Sequence, residues 1–273
     1  MKLFIKKIYL TLFFLVILSI NAEIFAKDSK NEYLRESISS YFSGIVSYNN
    51  HNTKKAYKYL DKIKKIDNNH SNYKTQYIHT LVLLKKFKKA IAFSKEINKN
   101  NNSLFEANLL LGISSIIEED YRKAEKYFFE LNEVSQHHDM YKSFIKNALL
   151  SWTAAADNNK EKSFYHFNQI SQQYYNLKRI QNSLLQCYFD TPIVEKSYQE
   201  LINDKNNVFS RYNFFLGNYL LHKNKNKKAK EIISYSSKLY GTNVLLNQAN
   251  NFIMSDKNEK IINLFNCQNP KDN

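Results

Sequence analysis

Glycine and proline are nearly missing from this chain, at 4 and 2 of its 273 residues. Sheets built from short strands need turn residues roughly every 8–12 positions, and no such rhythm runs through the sequence. A sandwich or barrel is therefore excluded. Acidic residues are also short, 25 against 40 Lys and Arg, for a formal charge of +15. Several marks of chemistry are absent: there is no His-Glu-x-x-His, no Cys-x-x-Cys, no glycine-rich phosphate loop and no Gly-x-Ser-x-Gly elbow. What is abundant is Lys, Asn, Ile, Tyr and Phe. Such a composition, without strand signals and long enough to bury a continuous core, points to a single all-helical array.

The stretch 107–131 shows the building unit. Leu110, Leu111 and Ile117 lay an apolar stripe on one helix, and Tyr121, Ala124, Tyr127, Phe128 and Leu131 lay another on a second. Between them, Asp120 is placed to accept a backbone N–H at the second helix start, where the dipole also favours a carboxylate. Gly112 inside the first helix costs about 1 kcal/mol relative to Ala, which marks a close helix approach, with Ala124 as the facing residue. One such pair leaves apolar surface bare on both sides. Stability then requires stacked copies.

The copies are present. Ala56, Ala90 and Ala124 stand at one 34-residue interval. Gly44, Gly112 and Gly217 each precede a second-helix alanine, Ala56, Ala124 and Ala229, by twelve residues. Ser151 and Ser163 keep the twelve-residue interval, and Leu185 with Ser197 and Ala249 with Ile261 extend it to a fifth and a seventh unit.

In these positions the chain resembles the tetratricopeptide repeat family: a small first-helix residue, an aromatic before the second helix in Phe87 and Tyr121, the second-helix Ala, and a large apolar residue one turn later in Leu60 and Phe128. The match is fullest from Ile38 to Leu131. It departs at Ile78, which stands where glycine is found in the neighbouring units, and in the absence of the family's proline after the second helix everywhere but at Pro270. The resemblance implies an all-α, right-handed α-solenoid of six to seven helix pairs, with binding on a concave face lined by the first helix of each unit. Mapped here, that face takes Tyr41, Ile45, Tyr48, His79, Leu109, Ile113 and Trp152, then Arg179, Asn182, Gln186, Arg211, Phe214 and Asn218. An apolar and aromatic stretch followed by two arginines and several amides suits an extended peptide, or an amphipathic helix with acidic groups at one end. Packing between helices is the competing use of each of these side chains.

Residues 1–26 stand outside the repeats. Lys2, Lys6 and Lys7 precede an apolar run over 8–20, followed by Asn21 and Ala22. That order is a secretory signal peptide, with an uncleaved anchor over 8–20 as the alternative. The expected location is periplasmic or secreted. The divisions are then 1–26, regular repeats over 27–131, and divergent repeats over 132–273. Loss of the leader removes three lysines and leaves a strongly basic chain. In an exported protein this argues against nucleic acid and permits an anionic membrane surface or an acidic protein. Lys54, Lys55, Lys85, Lys86, Lys88, Lys89 and the lysines of 223–230 cluster at the turn inside each unit, either as a solvated rim or as a basic binding ridge.

Two cysteines in an oxidising compartment invite a disulfide, but Cys187 falls in the fifth unit and Cys267 at the end of the seventh. Packed helices lie about 8–10 Å apart and bridged Cα atoms within about 7 Å. The register therefore predicts two buried, unpaired thiols. His137-His138-Asp139 is the one dense titratable cluster, short of a third and fourth metal ligand at usual spacing. No polar capping helix follows Phe265, so a truncated array is expected. The sequence thus predicts a scaffold without catalytic, cofactor or metal site that binds a protein or peptide segment. The alternative is a helical accessory module of an envelope enzyme whose catalytic domain lies elsewhere.

Overall fold

The structure, a computed structural model, describes residues 35–63, 70–99, 104–131, 139–204, 206 and 208–267, with 139–143 described by their backbone alone. Residues 1–26, expected to be a leader, and the His137-His138 pair lie outside the described residues. Among those residues there are fourteen α-helices and no strand. They are α1 (35–49), α2 (Thr53–Leu60), α3 (Ser71–Leu83), α4 (Phe87–Lys99), α5 (Phe105–Ile117), α6 (Tyr121–Phe129), α7 (Asp139–Ala156) and α8 (Lys160–Asn168). After a 3-10 turn, Gln172–Tyr174, come α9 (Tyr175–Tyr188), α10 (Val194–Ile202), α11 (Ser210–His222), α12 (Asn226–Leu239), α13 (Val244–Met254) and α14 (Asn258–Ile262).

The helices pack in adjacent pairs. The twelve-residue interval runs through all seven: Gly44, Ile78, Gly112, Ser151, Leu185, Gly217 and Ala249 lie on the first helices, Ala56, Ala90, Ala124, Ser163, Ser197, Ala229 and Ile261 on the second. All fourteen residues are buried. At two of them the close approach is explicit. A Cβ added to Gly44 would meet Leu60 Cδ2 at 2.5 Å, and one added to Gly217 would meet Ile233 Cγ1 at 2.6 Å. The residue that needs the missing Cβ is therefore the large apolar side chain one turn after the alanine, not the alanine itself. In the fourth pair serines replace both small residues, and Ser151 Oγ donates to the Ser163 carbonyl at 2.9 Å.

Every pair is joined by the same turn. One residue after each first helix adopts a left-handed backbone: His51, Lys85, Glu119, Asn158, Asp190, Asn224 and Asp256, with φ between 44° and 58°. The next N–H reaches back to close the helix, as in Asn52 to Ser47 O at 2.9 Å, Lys86 to Leu81 O at 2.8 Å and Lys225 to Leu220 O at 2.8 Å. This is the Schellman end. Where that next residue is Asn or Asp it also opens the second helix: Asn52, Asp120 and Asn159 accept from the N–H three residues on, at 3.2, 3.0 and 3.0 Å. Glycine normally fills the left-handed position because a Cβ there is strained. A chain with so few glycines has instead placed Gly44 and Gly217 where helices touch.

The described residues fall into two compact units, 35–114 and 115–267. In the first, Ala56, Leu60, Ile63, Tyr73, Tyr77, Leu81 and Ala90 form one core cluster and Ile78, Ile97, Leu104 and Ala107 another. In the second, the largest cluster gathers Cys187, Tyr198, Phe214, Leu220, Ile233, Leu246 and Ile261. The helix order there is regular until α14, which packs on both α13 and α11. After α14 the chain lies back along α11. His222 Nε2 is 3.3 Å from the Phe265 carbonyl, and Cys267 is disulfide-bonded to Cys187 at the end of α9, with Cα atoms 5.6 Å apart.

That bond corrects the expectation of two unpaired thiols. The register of the last three pairs is the expected one. The error was to extend the chain past α14 along the direction of stacking, whereas the last described residues run back across a neighbouring helix. The return removes the helix layers thought to separate the sulfurs.

Candidate functional site: the faces of the first helices

In the unit 35–114, two of the mapped residues come together. Tyr48 of α1 and His79 of α3 share a hydrogen bond, Oη to Nδ1, of 2.9 Å with their rings stacked 6.3 Å apart. Tyr41 packs edge-on against His70, ring centres 4.7 Å apart. Ile45 and Leu109 are half-buried, while Ile113 is 40% exposed on α5.

In the unit 115–267 most mapped side chains are already engaged. Trp152 donates to Gln181 Oε1 at 2.6 Å and meets Tyr188 edge-on. Arg179 pairs with Asp204, donates to the Glu200 carbonyl, and lies over the rings of Tyr175 and Phe209 at 5.2 and 5.9 Å. Gln186 is buried, accepting from Thr191 Oγ1 at 2.6 Å and donating to Asn182 Oδ1 at 3.1 Å. Phe214 sits inside the core. Arg211 is exposed.

What the sequence reading did not find is that the face of α11 carries a segment of this same chain. Phe215, Asn218 and His222 recur at helical spacing and all three meet the stretch 261–265. Asn218 Nδ2 donates to the Ile261 carbonyl at 2.6 Å, Phe215 stacks on Phe265 with ring centres 4.4 Å apart, and His222 faces the Phe265 carbonyl. The disulfide then anchors the stretch at Cys187. Asn218 is fully buried, and its Oδ1 has no hydrogen-bond partner among the described residues. One signal in the sequence could have pointed here: the chain has just two cysteines, and parity alone suggests that each is the other's partner.

The lysine clusters are exposed, as turn residues are, yet several are pinned. Lys89 pairs with Asp61, Lys162 with Glu125 at 2.6 Å, and Lys228 with Glu195. In each case the lysine stands just before the small second-helix residue, Ala90, Ser163 or Ala229, and reaches an acid of the preceding pair. Lys225 joins Lys228 on Glu195, and Lys223 pairs with Asp190. Hydrogen bonds from Lys225 and then Lys228 hold the Glu195 carboxyl below the usual range. Burial would raise Asp61, but the bonds from Lys89 and Tyr77 bring it below its ordinary value.

A hollow of about 360 Å³ opens between α6, α7 and α8, lined by Arg122, Glu125, Thr153, Asp157 and Lys162. Its Glu125 and Lys162 already pair with each other. Beside it, burial lowers the pKa of His166, with Glu125 opposing and Lys162 and Lys146 adding to the effect. Among the described residues no group of three His, Cys, Asp or Glu side chains is placed to hold a metal, and no helix is long and apolar enough to cross a membrane. The chain matches no protein-family model and no curated protein.

Proposed function

We propose that the chain is a tetratricopeptide-like α-solenoid that acts without catalysis, as an exported scaffold binding an extended protein or peptide segment on the faces of its first helices. One observation carries the reading. On α11, side chains of a first helix hold the last turn of α14 and the residues after it through two backbone carbonyls and one aromatic ring, contacts of the kind that a bound peptide can also make. The repeated pair with its common turn supplies the rigid support. Lysines that reach back to the preceding pair serve the stack itself, which weakens the case for the basic ridge as the binding surface.

Selection of ligands from a displayed peptide library tests the reading. Selected peptides should lose about tenfold or more in affinity on Ile113→Asp or Arg211→Glu, both first-helix positions open to solvent. They should be little affected by Lys95→Glu or Lys126→Glu on second helices. Sensitivity to the lysine changes alone would move the site to the basic surface and overturn the proposal.

A further inference from the structure

The stretch that follows α14 has an unusual place in the molecule. Its body is at the surface: Asn263, Leu264 and Asn266 are exposed, while Phe265 and Cys267 are half-buried. Beneath it α11 offers one ring, one amide and one imidazole. The imidazole of His222 addresses a backbone carbonyl of the stretch, which every peptide possesses, whereas the Asn218 amide holds the Ile261 carbonyl in the last turn of α14. The third asks for an aromatic side chain. The buried Asn218 amide uses its donor, and among the described residues its acceptor has no partner. A segment offering an N–H there would satisfy that acceptor.

We propose that the face of α11, closed at one end by the last turn of α9, is a site for an extended segment carrying an aromatic residue. The chain's own residues 263–267, which follow α14, cover it while Cys187–Cys267 is intact, and reduction of that bond opens it to a segment from another protein. The inference rests on the peptide-binding reading above and adds its regulation. The latch has a polarity. Cys187 is fully buried and Cys267 is half-exposed, so a dithiol reductant reaches Cys267 first. Its thiolate forms a mixed disulfide with Cys267 and Cys187 leaves as a thiolate that takes up a proton. The second thiol of the reductant then releases Cys267 as a thiol and becomes the oxidised disulfide. Two electrons and two protons pass to the protein. Once free, the stretch remains tethered next to the site at an effective concentration of order millimolar, so it competes with an incoming peptide but no longer excludes it.

The probe is a fluorescent peptide matching residues 259–267 with C267S, titrated into the full chain. Oxidised wild type should bind it at least about tenfold more weakly than the F265A/C267S variant, whose own stretch has lost its ring and its latch. Adding F215A to that variant should abolish binding, because the ring that receives the aromatic is gone. In dithiothreitol-reduced wild type, excess peptide should speed alkylation of Cys267 by displacing the tethered stretch, a reading that does not depend on any variant folding. Equal binding to oxidised wild type, indifference to F215A, or an alkylation rate unmoved by peptide would each overturn the inference. Library peptides that still bind through Ile113 and Arg211 would then show that the strap has failed and the scaffold reading has not.

Discussion

Single positions decide how closely the helices meet. At Gly217 there is no room for a methyl group, because Ile233, the neighbour it would strike, is itself fully buried and cannot swing away. Gly217→Ala should therefore destabilise by about 1–3 kcal/mol. Gly241→Ala, with nothing within 4 Å of the added carbon, should be neutral or slightly stabilising. Urea melts of the two variants check this, and equal losses would mean that the α11–α12 contact is misplaced. His166 gives a second test at this scale. It is buried against Phe129, and desolvation lowers its pKa. As pH falls through the ordinary histidine range the unfolded chain takes up the proton before the folded one does, so the folded state loses stability toward the lowered pKa. A His166→Phe variant should show a shallower loss between about pH 7 and pH 5 than wild type does. A difference independent of pH would contradict the burial.

The helix pair is where the sequence was most legible. A small residue on one helix and a small or medium one twelve positions later are local requirements, set by how near two backbones come, so they survive even where Ser151 and Ser163 replace Gly and Ala. The turn was harder to read. With glycine missing, seven other residues take the left-handed position: Asn158, Asp190, Asn224 and Asp256 are of types that favour it, but Lys85 and Glu119 give no such sign. The second-helix lysines were equally opaque. Their spacing shows exposure at a turn, but the acids they meet are not at a fixed position: Asp61 follows Ala56 by five residues, Glu125 follows Ala124 directly, and Glu195 precedes Ser197. Of the mapped face, Trp152 and Arg179 are taken up by partners from other elements, which no helical projection can reveal, while Gln186 bonds to Asn182 one turn back and to Thr191 just past the helix end.

At the scale of the whole molecule the decisive feature is the closure from Cys267 to Cys187, eighty residues apart in sequence. It lay beyond a reading that counts helix layers, since it depends on α14 and the residues after it folding back on α11. Opening a loop of that length should lower stability by roughly 2–4 kcal/mol, and thermal melts of wild type with and without a dithiol measure it. A C187S/C267S chain should melt like the reduced protein and ignore the dithiol. An unchanged melting temperature on reduction would show that the bond is absent from the folded chain in solution.

The central claim is that the first-helix faces do the binding. The most direct measurement places photocrosslinking residues at Ile113 and Arg211 on first helices, and at Lys95 and Lys126 on second helices, in the chain expressed in living cells. The account predicts that one protein is captured from Ile113 or Arg211 and not from the two lysine positions. Capture confined to Lys95 and Lys126, or recovery of lipid alone, would contradict it.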